Sequence, residues 1–195
     1  MKLPNIRSVA AAALVTLSLT SLNMAVAADP PKKPVMTPEV KLVDDYNTWF
    51  LGGAYEGDVE KLQAGLPKYI TNETVLHEVA SLPWGGTLVG IPGWVELSQK
   101  TGPVFAKIGP LVEVSAPTYY QNGNVVIHEI TLTIKGSPAA PEPFVMGLIE
   151  KYTVEKGRIT KIDEFYADTA SFLDRLAVLG AIPPRKKWVH RDETT

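Results

Sequence analysis

The chain contains no cysteine. That excludes a disulfide scaffold, a thiol nucleophile and cysteine-ligated zinc or iron–sulfur centres. It also lacks a positive excess: 19 Lys and Arg stand against 21 Asp and Glu, for a formal net charge of −2. A nucleic-acid binder needs a basic surface to meet phosphates, so that class is excluded too. No glycine-rich phosphate loop is present, because Gly85-Gly86 leads into neither a P-loop nor a dinucleotide fingerprint. No Gly-x-Ser-x-Gly nucleophile elbow occurs. Nucleotide cofactors are therefore not expected. What is plentiful is apolar residues, 45% of the chain, enough for a packed core and too many for wholesale disorder.

The first residues have the pattern of a secretion signal. Lys2 and Arg7 form a positive start, residues 9–22 are largely apolar, and Ala25-Val26-Ala27 fits a small-x-small cleavage site before Ala28. An uncleaved anchor is the competing reading, but the apolar stretch is short against the roughly 20 residues of a membrane span. No second stretch of that length follows. The expectation is a leader over residues 1–27 and an exported protein, periplasmic or secreted, with no membrane attachment after cleavage. Residues 28–36, rich in Pro and Lys, read as a stiff solvated linker. Residues 37–180 read as one domain and 181–195 as a polar tail.

Thr37-Pro38-Glu39 is a helix start, with a hydroxyl cap, proline at the first helical position and an acid after it. Val43, Tyr46 and Phe50 follow at helical spacing, and Gly52-Gly53 ends the run. Asp58 caps a second short helix with Val59, Leu62 and Leu66. Residues 74–79 alternate as a strand. Residues 82–86 read as a loop, and 91–100 as a third helix that resumes after Pro103. Strand-like runs cover residues 111–120, 124–134, 144–154 and 159–166. Gln121-Asn122-Gly123 and Glu155-Lys156-Gly157 between them are hairpin signals. Asp168 caps a last helix that Gly180 closes. Consecutive hairpins make an antiparallel sheet, and a half-buried sheet needs its apolar face covered. The expected class is α+β, a curved sheet wrapped around helices.

Four segments in this order carry a resemblance: Tyr55-Glu56-Gly57-Asp58 entering the second helix; Thr74-Val75-Leu76-His77; residues 83–90, Pro-Trp-Gly-Gly-Thr-Leu-Val-Gly; and residues 157–166, Gly-Arg-Ile-Thr-Lys-Ile-Asp-Glu-Phe-Tyr. Residues 40–176 resemble the nuclear-transport-factor-2-like superfamily, in particular its SnoaL-like polyketide-cyclase branch. The resemblance implies a cone-shaped curved antiparallel sheet around N-terminal helices, an apolar pocket for a small apolar molecule, and often a homodimer. It covers ketosteroid isomerases, epoxide hydrolases, dehydratases and binding domains, so it does not fix the activity. By motif, Glu150 falls where ketosteroid isomerases have a protonated oxyanion-hole acid, a known case of a neutral carboxylic acid donating a hydrogen bond. His77 falls at or next to their base. Phe50 falls where they have a tyrosine, so that hydroxyl is missing. Glu164 matches the second acid of the epoxide hydrolases, but Glu129 and Thr131 stand in place of their Arg-x-Asp pair.

Strand period gives a test from the residues themselves. Alternate strand residues share a face. Taking the more apolar parity of each strand as inward puts His77, His128, Glu150 and Glu164 among apolar neighbours. A slip of one residue exchanges the two faces of a strand. Buried carboxyls have their pKa raised by desolvation, and imidazole titrates near neutrality, so this set could move protons at neutral pH. Each residue also has a structural reading: packing for the histidines, ion pairs for the glutamates. Two His and two Glu could bind a metal by ligand type, but their spacing along the chain has no ligand pattern, and none is expected. The expected catalytic set is His77, Glu150 and Glu164. Trp84 in its Pro/Gly loop, His128, Tyr55 and Tyr166 are candidates for contact with the ligand. Three functions stay open: a cofactor-free isomerase, cyclase or lyase; a non-catalytic ligand carrier; and a dimeric assembly module.

Overall fold

The computed structural model describes residues 36–52 and 58–184. The chain divides into two units, Met1–Val35 and Met36–Thr195, and all described residues belong to the second. The leader, nearly all of the linker, Tyr55 and the end of the tail therefore lie outside the described residues.

Helix α1, Pro38–Leu51, starts as the sequence dictates: Thr37 accepts from the Val40 amide and proline occupies the first turn. Its buried stripe is Val40, Val43, Tyr46 and Asn47. Helix α2, Val59–Gly65, is capped by the Asp58 side chain, which accepts from Lys61 N at 3.0 Å. Strand β1, Ile70–Glu78, follows, then β2, Gly86–Val89, then α3, Gly90–Ile108. Residues 86–89 pair with β1, so the loop expected at 82–86 gives way to a strand at Gly86 that the sequence reading did not assign. Pro103 does not break α3, because it lies on the exposed side of the helix while Thr101 and Val104 beside it are buried.

The run expected at residues 111–120 is two strands, β3 (Val112–Val114) and β4 (Thr118–Asn122). Pro117 lacks a donor and interrupts the ladder there. Both pair with β5, Val125–Ile134. Hairpins then connect β5 to β6, Phe144–Glu155, and β6 to β7, Arg158–Tyr166. The turn into β7 needs positive φ at Lys156 (50°) and Gly157 (71°), which glycine supplies at the second position. Helix α4, Thr169–Val178, is capped by Asp168.

The sheet order is β2-β1-β7-β6-β5-β3, with β4 also on β5. All pairs are antiparallel except β1 with β7. That parallel pair, between the first and last strands, was not readable from consecutive hairpins. The sheet is curved and open, and α1, α3 and α4 supply buried residues to the same core. Trp94 of α3 is fully buried and donates from Nε1 to the Tyr46 hydroxyl of α1 at 2.8 Å. Among the described residues no helix is long and apolar enough to cross a membrane.

Candidate active site

Between the concave face and the helices lies a cavity of about 150 Å³. Its wall is mostly apolar, with Phe50 and Leu51 from α1, Leu97 and Phe105 from α3, Ile130, Leu132 and Leu148 from the sheet, and Phe172 from α4. Three carboxyl groups interrupt that wall: Glu78, Glu150 and Glu164. Among the described residues no Lys, Arg or His lines it.

Register explains why the three meet. Glu150 pairs with Glu164 across β6 and β7, and His128 of β5 pairs with Glu150. In the parallel β1–β7 ladder His77 pairs with Asp163, so Glu78 is one step further along, beside Glu164. Glu78, Glu164, Glu150 and His128 thus form one row across four neighbouring strands. Strands lie about 4.8 Å apart, which sets the spacing along that row.

Each member has definite partners. His128 is 2% exposed and its Nδ1 lies 2.5 Å from Glu150 Oε2. It stacks on Tyr119, with ring centroids 5.3 Å apart, and the Tyr119 hydroxyl donates to Asp44 at 2.8 Å. The imidazole is locked from behind, so it positions the Glu150 carboxylate by donating to it. Glu78 is 5% exposed, and its Oε1 accepts from Trp84 Nε1 at 2.9 Å and from the Tyr166 hydroxyl at 3.0 Å. Tyr166 also lies 3.3 Å from Glu164 Oε2.

Burial pushes the Glu164 carboxyl well above the usual range. The charge of Glu78, the hydrogen bond between the two carboxyls and the charge of Glu150 push it the same way, while the Tyr166 contact opposes them. A proton shared along this pair removes one of two adjacent charges. Burial, then the charges of Glu164 and Glu78, likewise hold the Tyr166 phenol protonated. The site therefore sets a carboxyl whose surroundings favour its protonated form one strand away from a second carboxyl group.

Of the residues singled out from sequence, Glu150, Glu164, Tyr166 and Trp84 line the cavity. His128 shares their face but sits behind Glu150 rather than in the wall. Trp84 is 2% exposed and bonded to Glu78, so it is packed into the wall. His77 is a correction. The inward residues of β1 are Ile70, Thr74, Leu76 and Glu78, and the His77 side chain is 45% exposed on the opposite face. There its Nδ1 lies 3.0 Å from Asp163, which Lys161 also meets at 2.8 Å. Burial disfavours the Asp163 charge, but Lys161 and His77 outweigh it and hold the carboxyl below its ordinary value. Glu78 takes the inward place assigned to His77, and Asn47 joins the wall unannounced. Tyr55 is outside the described residues. Among these residues no cluster of three or more His, Asp or Glu has metal-holding geometry. An open depression along Glu113, Val114 and Ser115 holds one carboxylate, tied to Lys135 at 2.6 Å, and gathers no reactive set.

Solved structures share this architecture. An NTF2-like protein from Anabaena variabilis superposes with a TM-score of 0.50 at 15% identity, covering 69% of this chain and 96% of its own. The chain has the NTF2-like fold. An NTF2-like protein of unknown function from Burkholderia pseudomallei superposes equally well, TM-score 0.50 at 13% identity, covering 71% and 97%. TerC, in a structure co-crystallised with polyporic acid, gives 0.51 at 17%, covering 72% and 98%. No protein-family model matches the chain, and no curated protein matches it in sequence. These NTF2-like neighbours establish the cone and its covered concave face. The site must be argued from its own residues.

Proposed function

We propose that this NTF2-like domain is a SnoaL-like enzyme that performs cofactor-free acid/base chemistry on a small, largely apolar molecule held in the cavity. The observation that carries the reading is the Glu78–Glu164–Glu150 row in an apolar wall, with Glu164 held neutral beside Glu150. Glu150, oriented by His128, is the base that takes a proton from an activated C–H. Glu164 donates its proton to the oxygen or carbon that gains electron density. Tyr166 and Trp84 fix Glu78, whose carboxyl shares the proton of Glu164. That pairing of base and acid serves isomerisation, cyclisation or elimination alike.

The test is proton exchange. The protein is incubated in D₂O with cyclohex-2-enone and related monocyclic ketones, and deuterium uptake is read by NMR. Uptake well above buffer is expected. One observation favours a carrier instead: Glu78 Oε1 is already held by Trp84 Nε1 and the Tyr166 hydroxyl, contacts that a purely structural carboxyl would make. Ligand retained in native mass spectra, with no uptake from any ketone, would leave the carrier reading in place.

The same proposal includes export, with Ala28 as the first residue of the mature protein, and a homodimer. Val145 and Ile149 of β6 and Phe165 of β7 are exposed on the outer face, with Ile149 opposite Phe165 in the ladder. An apolar strip of this kind favours self-association. Sedimentation should give a dimer, and Phe165→Glu a monomer; a wild-type monomer would end the dimer proposal.

A further inference from the structure

Asn47 is 5% exposed, lines the cavity, and has one half of its amide unused. Its Oδ1 accepts from the fully buried Tyr152 hydroxyl at 2.9 Å, whereas Nδ2 has no partner. Leaving a buried donor unpaired is unfavourable, so its retention points to a use. Tyr152 fixes which end of the amide is spent and leaves the N–H₂ end available. The other donors of the wall are committed: Trp84 Nε1 and the Tyr166 hydroxyl to Glu78, and the Thr101 hydroxyl to Leu97 O at 2.9 Å. The buried acceptor without a donor, Glu78 Oε2, belongs to the carboxyl that shares the proton of Glu164.

Charge and size narrow what Asn47 meets. Among the described residues three glutamates and no basic side chain line the wall, so an anion is disfavoured. A void of about 150 Å³ has room for one six-membered ring, the size of ligand that an engineered cavity of that volume takes. We propose that Asn47 is a ligand-docking and specificity-determining residue, and that the ligand is a neutral single-ring compound whose hydrogen-bond-accepting oxygen, ketone or ether, takes the Nδ2 hydrogen. The ring rests on Phe50, Leu97, Phe105 and Phe172. This rests on the cavity being the ligand site, as in the proposed function, but on no turnover.

The test is calorimetric titration of the whole protein with cyclohex-2-enone, tetrahydropyran, cyclohexanecarboxylate and cyclohexylammonium. One or both oxygen probes bind, which separates ketone from ether, and the carboxylate does not. Asn47→Asp keeps the acceptor for Tyr152 and removes the donor; Asn47→Leu keeps the bulk alone. Both weaken the binding oxygen probe about tenfold or more, about 1.4 kcal/mol per decade. Should either variant misfold, the carbonyl stretch of ¹³C-labelled cyclohexenone bound to wild type still decides, since a docked ketone absorbs at lower frequency than the ketone in hexane. Failure of both oxygen probes to bind wild type, unchanged affinity in a folded Asn47 variant, an unshifted carbonyl, or tighter binding of cyclohexylammonium would each overturn the proposal. Binding without deuterium uptake would sink the catalytic reading and leave this one standing.

Discussion

Glu150→Gln slows deuterium uptake into cyclohex-2-enone by about 10²–10⁴-fold, the range a positioned general base contributes. The amide keeps the shape of the side chain, and its oxygen still accepts from His128 Nδ1, so fold and cavity survive. What is lost is a group able to take a proton. Circular dichroism and probe affinity should match the wild type, which separates lost chemistry from lost structure. Uptake at the wild-type rate in this variant would remove Glu150 as the base. His128 enters only through Glu150, because it is buried behind the carboxylate and absent from the cavity wall.

The second large effect concerns stability. Glu164→Gln makes the protein more stable at neutral pH and flattens its dependence on pH. Unfolded, Glu164 ionises near its ordinary value of 4.5; folded, burial and the neighbouring Glu78 keep its proton on to a much higher pH. Between those two values the native state binds one more proton than the unfolded chain, so stability falls as pH rises. The slope for one proton is about 1.4 kcal/mol per pH unit. Below pH 4.5 both states are protonated and no loss occurs. Glutamine mimics the neutral acid, still donates to Glu78 and has no proton to lose. Thermal unfolding of both proteins from pH 5 to 8 should give melting curves that diverge as pH rises. Parallel curves would mean that Glu164 is not held neutral by the fold.

Much of this was legible because two long strands, β5 and β6, each have one clearly more apolar phase, which puts His128 and Glu150 inward. In β7 the phases are balanced, Ile162 and Tyr166 against Ile159 and Phe165, and the pairing of Glu164 with Glu150 is what sets Glu164 inward. Strand β1 was misread because residues 74–79 alone hold Val75 and Val79 in one phase against Leu76 in the other. The strand starts four residues earlier, at Ile70, which is buried and in phase with Leu76 and Glu78. Counted over Ile70–Glu78, which leaves Val79 outside, Ile70 and Leu76 stand against Val75 alone and favour the phase that carries Glu78. Thr74 is inward too, and tolerable there because its hydroxyl donates to Ile159 O at 2.7 Å. Asn47 could have been found from helical spacing, four residues after Val43 and three before Phe50, on the buried side of α1. Its partner Tyr152 is more than a hundred residues away in sequence, and no local pattern announces that contact. The pairing of Glu78 with Glu164 depends on the parallel β1–β7 ladder, a long-range feature that hairpin signals do not encode.

A neutral carboxylic acid in the cavity at physiological pH is the claim on which base, acid and ligand all depend. The infrared spectrum of the wild type at pH 7, minus that of Glu164→Gln, measures it directly. The expected result is a protonated-carboxyl C=O band present in the wild type and missing from the variant. A difference spectrum showing only ionised carboxylate would contradict it.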